Sequence, residues 1–344
     1  MKKILNITLK VLVPLSLGIG ILVWLYHDFD FSRLEYTLFH EMNWGWFTLS
    51  LVAGIFSHIL RGWRWPLTLA PLGLYPRRSV SVYSIFVSYA ANLVIPRVGE
   101  VSRCSVLGRY DGISFSKSLG TVVTERLIDT LMVLALTAIA FMLQARVFAS
   151  FFAQTGTNGQ QWSDTFTSPA FIISTICVIA ILVLAFLLLR KFSFYQKVKG
   201  VLRNVWEGIV SLKNMQHPYL FVAETFAIWG CYFLQFYLCF FCFDFSSNLS
   251  LMAALVLFVA GSIAVVVPTP NGAGPWHFAV ITMMVLYGVP RDDAGMFALI
   301  VHSSQTLLLI VLGVFALVML QFKKKVTQKN ESFVGPHEGE PALK

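Results

Sequence analysis

Six long apolar runs dominate the chain and leave few folds open to it. They cover residues 9–26, 46–60, 118–143, 169–189, 219–243 and 294–321. A helix needs about 20 apolar residues to cross the hydrocarbon core of a bilayer. Only 12% of the 344 residues are charged, and 57% are hydrophobic. A soluble domain carries about twice that share of charge, so the sequence predicts an all-α, polytopic membrane protein with six full transmembrane helices.

Two further apolar runs are interrupted and fit poorly as spans. The run 79–95 ends at Pro96 and continues as a polar segment to Arg109, and the run 251–287 is broken by the sequence PTPNGAGPWHF at 268–278. Basic residues favour the cytoplasmic side of a membrane. This rule is satisfied if both termini are cytoplasmic and each interrupted run returns to the face it left. We therefore expect two re-entrant helical hairpins of opposite orientation, at about 79–109 and 251–288.

The remaining polar segments are expected on the cytoplasmic surface. The basic stretch from Lys191 to Lys213 alternates with apolar residues, which predicts an amphipathic segment at 190–216 attracted to anionic lipid. An ordinary cytoplasmic helix explains it equally well. The membrane domain is expected to cover 1–326, and the polar tail 327–344 to be disordered. Because the net charge of +9 follows the ends of the apolar runs, we expect no nucleic-acid partner.

Charged residues are concentrated around the first interruption and in the run that follows it. The candidates for a charged pocket at membrane depth are Arg97, Glu100, Arg103, Glu125, Arg126 and Asp129. Ionisable groups at that depth are expensive and normally face the protein interior or a wet cavity. One hypothesis is an ion-pair network that pins the hairpin to the span. The other is a basic pocket, in which the arginines hold an anionic headgroup and the acids organise them or couple to protons. Arg61 and Arg64 are expected to reach toward lipid headgroups.

The second interruption suggests a different anion site. Gly272 and Gly274 allow close backbone approach, and Pro275 suits the first turn of a helix. The free N–H groups at such a helix start attract phosphate or carboxylate. Asn271 and His277 lie at the same point and complete this predicted site.

Three motifs resemble one known family. PRVGEVSR at 96–103, SFSKSLGTVVTERLIDT at 114–130 and VPTPNGAGPWHF at 267–278 are similar to the lysylphosphatidylglycerol synthase transmembrane-region family, also called the flippase-like domain or YbhN-like membrane proteins. The family pattern carries onto Pro96, Arg97, Gly99, Glu100, Arg103, Glu125, Arg126, Asp129, Pro268, Pro270, Gly272 and Gly274. This chain has Asn271 where the family usually has glycine and His277 where it often has glutamate.

The resemblance implies an integral protein of the bacterial inner membrane that moves a phospholipid or a polyprenyl-phosphate lipid. It implies no cofactor and no metal, and it leaves a homo-oligomer open. In bifunctional relatives a soluble synthase makes the aminoacylated lipid. Here only a short tail follows Gln321, so we expect a transporter more than an enzyme.

Three alternatives stay open at this point. The chain is a membrane-embedded transferase acting on a lipid-linked donor, with Asp28 and Asp30 as metal-binding acids. It is the membrane subunit of a phosphatidylglycerol lysyltransferase-like system. Or it is a non-catalytic partner that positions other envelope proteins through the stretch from Lys191 to Lys213.

Overall fold

A computed structural model describes residues 2–144 and 215–325, with side chains from residue 12 onward. Its helices are α1 (Lys2–Leu25), α2 (Phe31–Tyr36), α3 (Trp44–Leu69), α4 (Arg78–Val94), α5 (Val98–Asp111), α6 (Phe115–Leu143), α7 (Pro218–Leu238), α8 (Leu251–Ala264), α9 (Pro275–Leu286) and α10 (Arg291–Gln321). Short helical turns lie at Thr37–Glu41, Ala70–Leu72, Cys239–Cys242, Asp244–Ser247 and Pro270–Gly272. Within these ranges there is no strand, which confirms the all-α prediction.

Among the residues that the structure describes, three helices are long and apolar enough to cross a membrane. They are Phe115–Leu143, Pro218–Cys242 and Arg291–Gln321, and they match the predicted spans 118–143, 219–243 and 294–321. Helices α1 and α3 cover two more predicted spans. The span 169–189 and the tail 327–344 lie outside the described residues, as does the amphipathic segment 190–216 apart from its last two residues. The count of six spans stays a prediction.

Helix α3 shows the inverted polarity of a helix that faces lipid. Its buried face carries Ser57, Arg61 and Arg64, whereas Phe56 and Trp63 are exposed on the opposite side. A helix on the surface of a soluble protein would bury its apolar face instead. The polar face of α3 packs against α4 and α7, which brings charged side chains into the interior.

Helices α4 and α5 form an antiparallel pair whose free ends lie at the C-terminal end of α10. Arg77, just before α4, donates from Nε to Asp111 Oδ1 at 2.6 Å, at the end of α5. Its Nη2 also donates to the carbonyl of Lys324 at 3.0 Å. Between the two helices the chain turns at Ile95–Arg97. Gly99 lies so close to α4 that a Cβ there would collide with the carbonyl oxygen of Ser88.

Helices α8 and α9 form a second pair, whose free ends lie at the N-terminal end of α10. Phe243, before α8, has its ring 6.0 Å from Phe297 in the first turns of α10. Helix α9 ends at Leu286, and α10 begins at Arg291. The two helical pairs therefore approach α10 from its opposite ends.

Helix α10 packs against α4 of the first pair and against the turn of the second pair. Gly313 of α10 packs so tightly on Ala90 of α4 that a Cβ at Gly313 would clash with it. In the second turn, Asn271 Nδ2 donates to Thr306 Oγ1 at 3.1 Å, and its carbonyl accepts from His302 Nε2 at 3.1 Å. Helix α10 thus contacts the first pair through α4 and the second pair at its turn.

Candidate functional site

A network of ion pairs connects α3, α5 and α6 in the interior of the bundle. Its members are four arginines and three carboxylates: Arg61, Arg64, Arg103, Arg126, Glu100, Glu125 and Asp129. Asp129 lies halfway along α6, between Phe115 and Leu143. The network therefore lies near the midpoint of a helix that is long enough to span a bilayer.

The inner part of the network is fully enclosed by protein. Arg103 Nη1 donates to Glu125 Oε2 at 2.7 Å, and Arg64 Nε lies 3.6 Å from Glu125 Oε1. These three side chains are at most 1% exposed. The Arg103 guanidinium also lies over the ring of Trp65, 4.5 Å from its centre. Arg64 donates to Thr225 Oγ1 on α7 at 3.0 Å, so this part holds four helices together.

The outer part of the network converges on Asp129. Its Oδ2 is 2.8 Å from Arg61 Nη2 and 3.5 Å from Arg126 Nη1, and its Oδ1 is 3.4 Å from Arg64 Nη2. Arg126 Nη2 lies 3.0 Å from Glu100 Oε1. The side chain of Arg126 is 40% exposed and that of Glu100 is 20% exposed. This part is therefore accessible from outside the packed core.

A cavity of about 440 Å³ lies beside the outer part of the network. Arg61, Arg126 and Asp129 form its charged wall. Its aromatic lining consists of Tyr89, Trp229, Tyr232, Phe236, Phe258 and Trp276. Gln305, close to the midpoint of α10, also lines it. The volume is in the range of small-molecule sites, and a mostly apolar lining with a few polar groups is typical of them.

The cavity reaches the protein surface between α6 and the end of α8. Thr130 of α6 is exposed, and Val265 and Val266 after α8 are 48% and 69% exposed. All three line the cavity. Because the exposed flank of α6 is otherwise apolar, with Leu127 and Leu134 at the surface, this opening faces the region that lipid would occupy.

The structure separates Arg97 from the other predicted charged residues. Arg97 is exposed at the turn between α4 and α5 and forms no ion pair with any residue the structure describes. Its φ of 67° is in the left-handed region, which an arginine seldom adopts. Glu100 instead forms an ion pair with Arg126, and Arg103 forms one with Glu125. The expectation that Arg97 would be a partner of the acids on α6 is therefore wrong.

The predicted anion-site residues of the second interruption do not line the cavity. Gly274 packs against α1, where a Cβ would lie 2.9 Å from the carbonyl oxygen of Gly18, and Gly272 packs against Val265. His277 Nδ1 accepts from the backbone N–H of Gly274 at 3.4 Å. Asn271 is bonded to α10. Helix α9 does begin at Pro275, but it contributes to the cavity through Trp276.

Sequence reasoning missed the role of Arg61 and Arg64. The prediction that they reach toward headgroups is wrong, because they are 2% and 0% exposed. The pattern that could have identified them is their spacing with Ser57, His58 and Trp65. Residues three and four apart share one face of a helix, and this face of α3 carries polar side chains while the opposite face is apolar.

Asp28 and Asp30, the acids of the transferase alternative, are engaged locally. Asp30 Oδ1 accepts from the N–H of Ser32 at 2.9 Å and from its hydroxyl at 2.6 Å, which caps α2 and lowers the pKa of Asp30. Asp28 Oδ1 lies 2.7 Å from His27 Nδ1. In the described parts of the chain no three His, Cys, Asp or Glu side chains are grouped as metal ligands.

Comparison with known proteins identifies the family. Residues 11–313 match the model of the family described as the lysylphosphatidylglycerol synthase TM region. The chain belongs to this family. It is also similar to the UPF0104 membrane protein MJ1078 of Methanocaldococcus jannaschii, with 25% identity over 213 residues, 61% of this chain and 84% of the relative. No solved structure matches the chain.

Two of the motifs that resemble the lysylphosphatidylglycerol synthase TM region meet in the ion-pair network. The segment 96–103 supplies Glu100 and Arg103 from the first turns of α5. The segment 114–130 supplies Glu125, Arg126 and Asp129 from the middle of α6. Arg61 and Arg64 of α3 complete the network. In this member of the family, both motifs therefore contribute to a single charged site.

Proposed function

We propose that the protein moves an anionic lipid between the two leaflets of a membrane. The headgroup would pass through the cavity while the hydrocarbon tails stay in the bilayer. The substrate class is an anionic phospholipid or a lipid-linked polyprenyl phosphate. The observation that carries the proposal is the cavity itself, which places the guanidinium groups of Arg61 and Arg126 beside Asp129, halfway along the long apolar helix α6, and opens toward the lipid region.

A charged headgroup needs groups of opposite charge on its way across the membrane. An uncompensated charge at the centre of a bilayer is strongly unfavourable. Arginine forms short, charge-assisted hydrogen bonds with phosphate oxygens. Arg61 and Arg126 would supply these bonds, and Asp129 with Glu100 would hold the two guanidinium groups in place when the cavity is empty. The same acids are the candidates for proton coupling.

The proposal includes the membrane topology. Helices α4 and α5 would enter as one re-entrant hairpin from the cytoplasm, and α8 and α9 as another from the opposite face. Their free ends at opposite ends of α10 support this arrangement. Oppositely oriented broken helices that meet near the midplane are common in transporters. The termini would be cytoplasmic, in the inner membrane of a bacterium, and the stretch from Lys191 to Lys213 would contact anionic lipid.

A second candidate is the membrane subunit of a lysyltransferase-like system. The description of the matched family, a synthase TM region, favours it. In that case a separate soluble synthase would supply the lipid, and the membrane protein would still need a headgroup site. Co-purification with such a synthase would distinguish this candidate from a transporter that acts alone.

Reconstitution into vesicles tests the proposal. Vesicles with fluorescently labelled phosphatidylglycerol in both leaflets are treated with a membrane-impermeant reductant, which bleaches only outer labels. We expect active vesicles to lose nearly all fluorescence, and the Arg126→Gln vesicles to stop near half. The matched control is Arg33→Gln, because Arg33 is also half exposed and paired with an acid, Asp293, at 2.6 Å, but lies outside the cavity.

Normal bleaching by a correctly folded Arg126→Gln variant would refute the proposal. Folding is checked by elution of a single symmetrical peak in detergent, and the Arg33→Gln variant shows what the loss of an unrelated ion pair does to the assay.

A further inference from the structure

We infer that the cavity selects a lipid phosphodiester of single negative charge, held by Arg61, Arg126 and the indole N–H of Trp229. This inference rests on the proposed function and narrows its substrate class. Two properties of the cavity wall support it: the polar atoms that lack a partner, and the net charge of the wall.

The unpartnered buried atoms of the cavity wall are all hydrogen-bond donors. Among the described residues these atoms are Nε and Nη1 of Arg61, Nε of Arg126 and Nε1 of Trp229. Arg61 is 2% exposed; its guanidinium lies 6.0 and 5.9 Å from the ring centroids of Tyr89 and Tyr232, and its free N–H groups have no acceptor among the described residues. Leaving a buried donor without a partner is unfavourable. A ligand rich in hydrogen-bond acceptors would therefore satisfy the free donors of the cavity wall.

The acceptors of the charged wall are already in use. Both oxygens of Asp129 are engaged by arginines. The hydroxyls of Tyr89 and Tyr232 lie 3.0 Å apart. One of them donates to the other, so one O–H of the pair remains as a further donor. Asp129 is the one carboxylate among the described lining residues, so a cationic headgroup would find no unpaired carboxylate there; the unpartnered Oε2 of Glu100 lies outside the lining.

The orientation of Trp229 is fixed by its neighbours. Its ring contacts Tyr232 and Phe258 edge to face, with centroids 6.1 and 6.2 Å away. These two contacts restrict rotation of the indole ring, which lines the cavity. It adds a neutral donor to the two guanidinium groups, which gives direction to binding without adding charge.

The charge of the site sets the charge of the ligand. Arg61, Arg126 and Asp129 on the cavity wall sum to one positive charge, and so do the four arginines and three carboxylates of the whole network. A phosphodiester with one negative charge neutralises either set. A phosphomonoester or diphosphate brings at least one additional negative charge into a site with low dielectric, where such a charge is costly.

Competitive lipid binding tests the inference. Purified protein is incubated at pH 8 with equal amounts of phosphatidylglycerol, phosphatidic acid and phosphatidylcholine, and retained lipids are measured by native mass spectrometry. We expect phosphatidylglycerol to be retained at least fivefold over the other two. Trp229→Phe keeps the ring and removes the N–H, and should weaken phosphatidylglycerol binding roughly tenfold, as expected for one hydrogen bond to a charged group.

The control is Trp63→Phe, since Trp63 is 43% exposed on the outer face of α3. It should bind phosphatidylglycerol like the unmodified protein. Equal binding by Trp229→Phe, or preference for phosphatidic acid, would overturn the inference. Displacement of the lipid by 10 mM inorganic phosphate would also overturn it, because the site would then recognise a free anion.

The outcome is separable from that of the proposed function. Selective binding that depends on Trp229, without transbilayer movement, supports the site and refutes the transporter. Lipid movement with no dependence of binding on Trp229 supports the transporter and refutes this site.

Discussion

Arg126 of α6 and Glu100 of α5 meet across 3.0 Å, from Nη2 to Oε1, at the edge of the cavity. This ion pair joins α5 to the part of α6 that carries Glu125, Arg126 and Asp129. Arg126 also contacts Asp129 at 3.5 Å, so its guanidinium bridges two carboxylates. A ligand phosphate would compete with Glu100 for the same cation.

A double-mutant cycle on this pair separates stability from transport. Arg126→Gln and Glu100→Gln should each lower the free energy of unfolding. The double variant should regain about 0.5–1 kcal/mol relative to the sum of the two, since the pair is partly exposed. Lipid movement should stay low in the double variant because the cation is still missing. Thermal unfolding in detergent and the vesicle assay measure the two quantities. Recovery of transport in the double variant would contradict a headgroup role for Arg126.

Glu125 should matter mainly for stability. Glu125→Gln leaves Arg103 and Arg64 without their shared carboxylate at sites that are at most 1% exposed. Breaking a buried ion pair costs about 3–5 kcal/mol, so we expect a large fall in the melting temperature. Glu35→Gln is the control, because Glu35 is exposed on α2 and should change stability by less than about 0.5 kcal/mol. Similar melting temperatures for both variants would contradict the pinning role.

Gly99 should be required for the close approach of α4 and α5. Gly99→Ala places a methyl group against the carbonyl oxygen of Ser88, and we expect a loss of about 1–3 kcal/mol. Gly230→Ala on α7 is the matched control, since nothing lies within 4 Å of a Cβ there. It should stabilise the protein by up to about 1 kcal/mol, because alanine is the better helix former. Thermal unfolding measures both, and a neutral Gly99→Ala would show that the two helices can separate freely.

The sequence predicts that Arg97 lines the charged pocket, whereas in the structure it lies outside the cavity. Substitution of Arg97 tests which of the two is right. Its φ of 67° is strained for arginine at about 1–2 kcal/mol. Arg97→Gly should therefore be more stable than Arg97→Ala in the same unfolding assay. Lipid movement by Arg97→Gly should stay within about twofold of the unmodified protein, because the side chain lies outside the cavity. A tenfold loss of transport in a stable variant would show that Arg97 does contribute to the headgroup site.

Cysteine labelling tests the opposite orientation of the two helical pairs. Arg109 near the end of α5 and Lys324 after α10 should be modified from one face as cysteine variants. Asn248 before α8 and Arg291 at the start of α10 should react from the other face. All four residues are exposed. An impermeant maleimide added to sealed, oriented vesicles reads this out. Arg109→Cys and Asn248→Cys reacting from the same face would refute the two-sided topology.

The sequence predicts which motif residues carry charge at membrane depth, but it predicts only some of the residues that pair with them. Spacing and depth predicted that Glu125, Arg126 and Asp129 needed opposite charges, and Glu100 and Arg103 are among those found. Helix α3 was not expected to contribute. The spacing of Ser57, Arg61 and Arg64 indicates a shared polar face on α3, but periodicity alone does not say which other helices that face packs against.

The second interruption shows a different limit. Glycine and proline correctly located the break and the start of α9 at Pro275. Whether the break can bind a ligand depends on residues that are distant in sequence. Gly18 of α1 lies against Gly274, and Thr306 of α10 accepts a hydrogen bond from Asn271. Nothing in the local pattern specifies those neighbours. The local sequence predicts a free helix start at Pro275 that could bind an anion. In the fold, α1 packs against the glycine that precedes it.

The opening between α6 and the end of α8 has a consequence for what the protein can distinguish. A molecule drawn in at this point would leave its fatty-acyl or isoprenoid portion outside, against Val266 and the apolar flank of α6. The protein would then not distinguish lipids by the length or unsaturation of their hydrocarbon chains. Recognition would be confined to the few polar atoms that reach Arg61, so one such protein could serve a whole population of lipids that share a headgroup and differ in everything else.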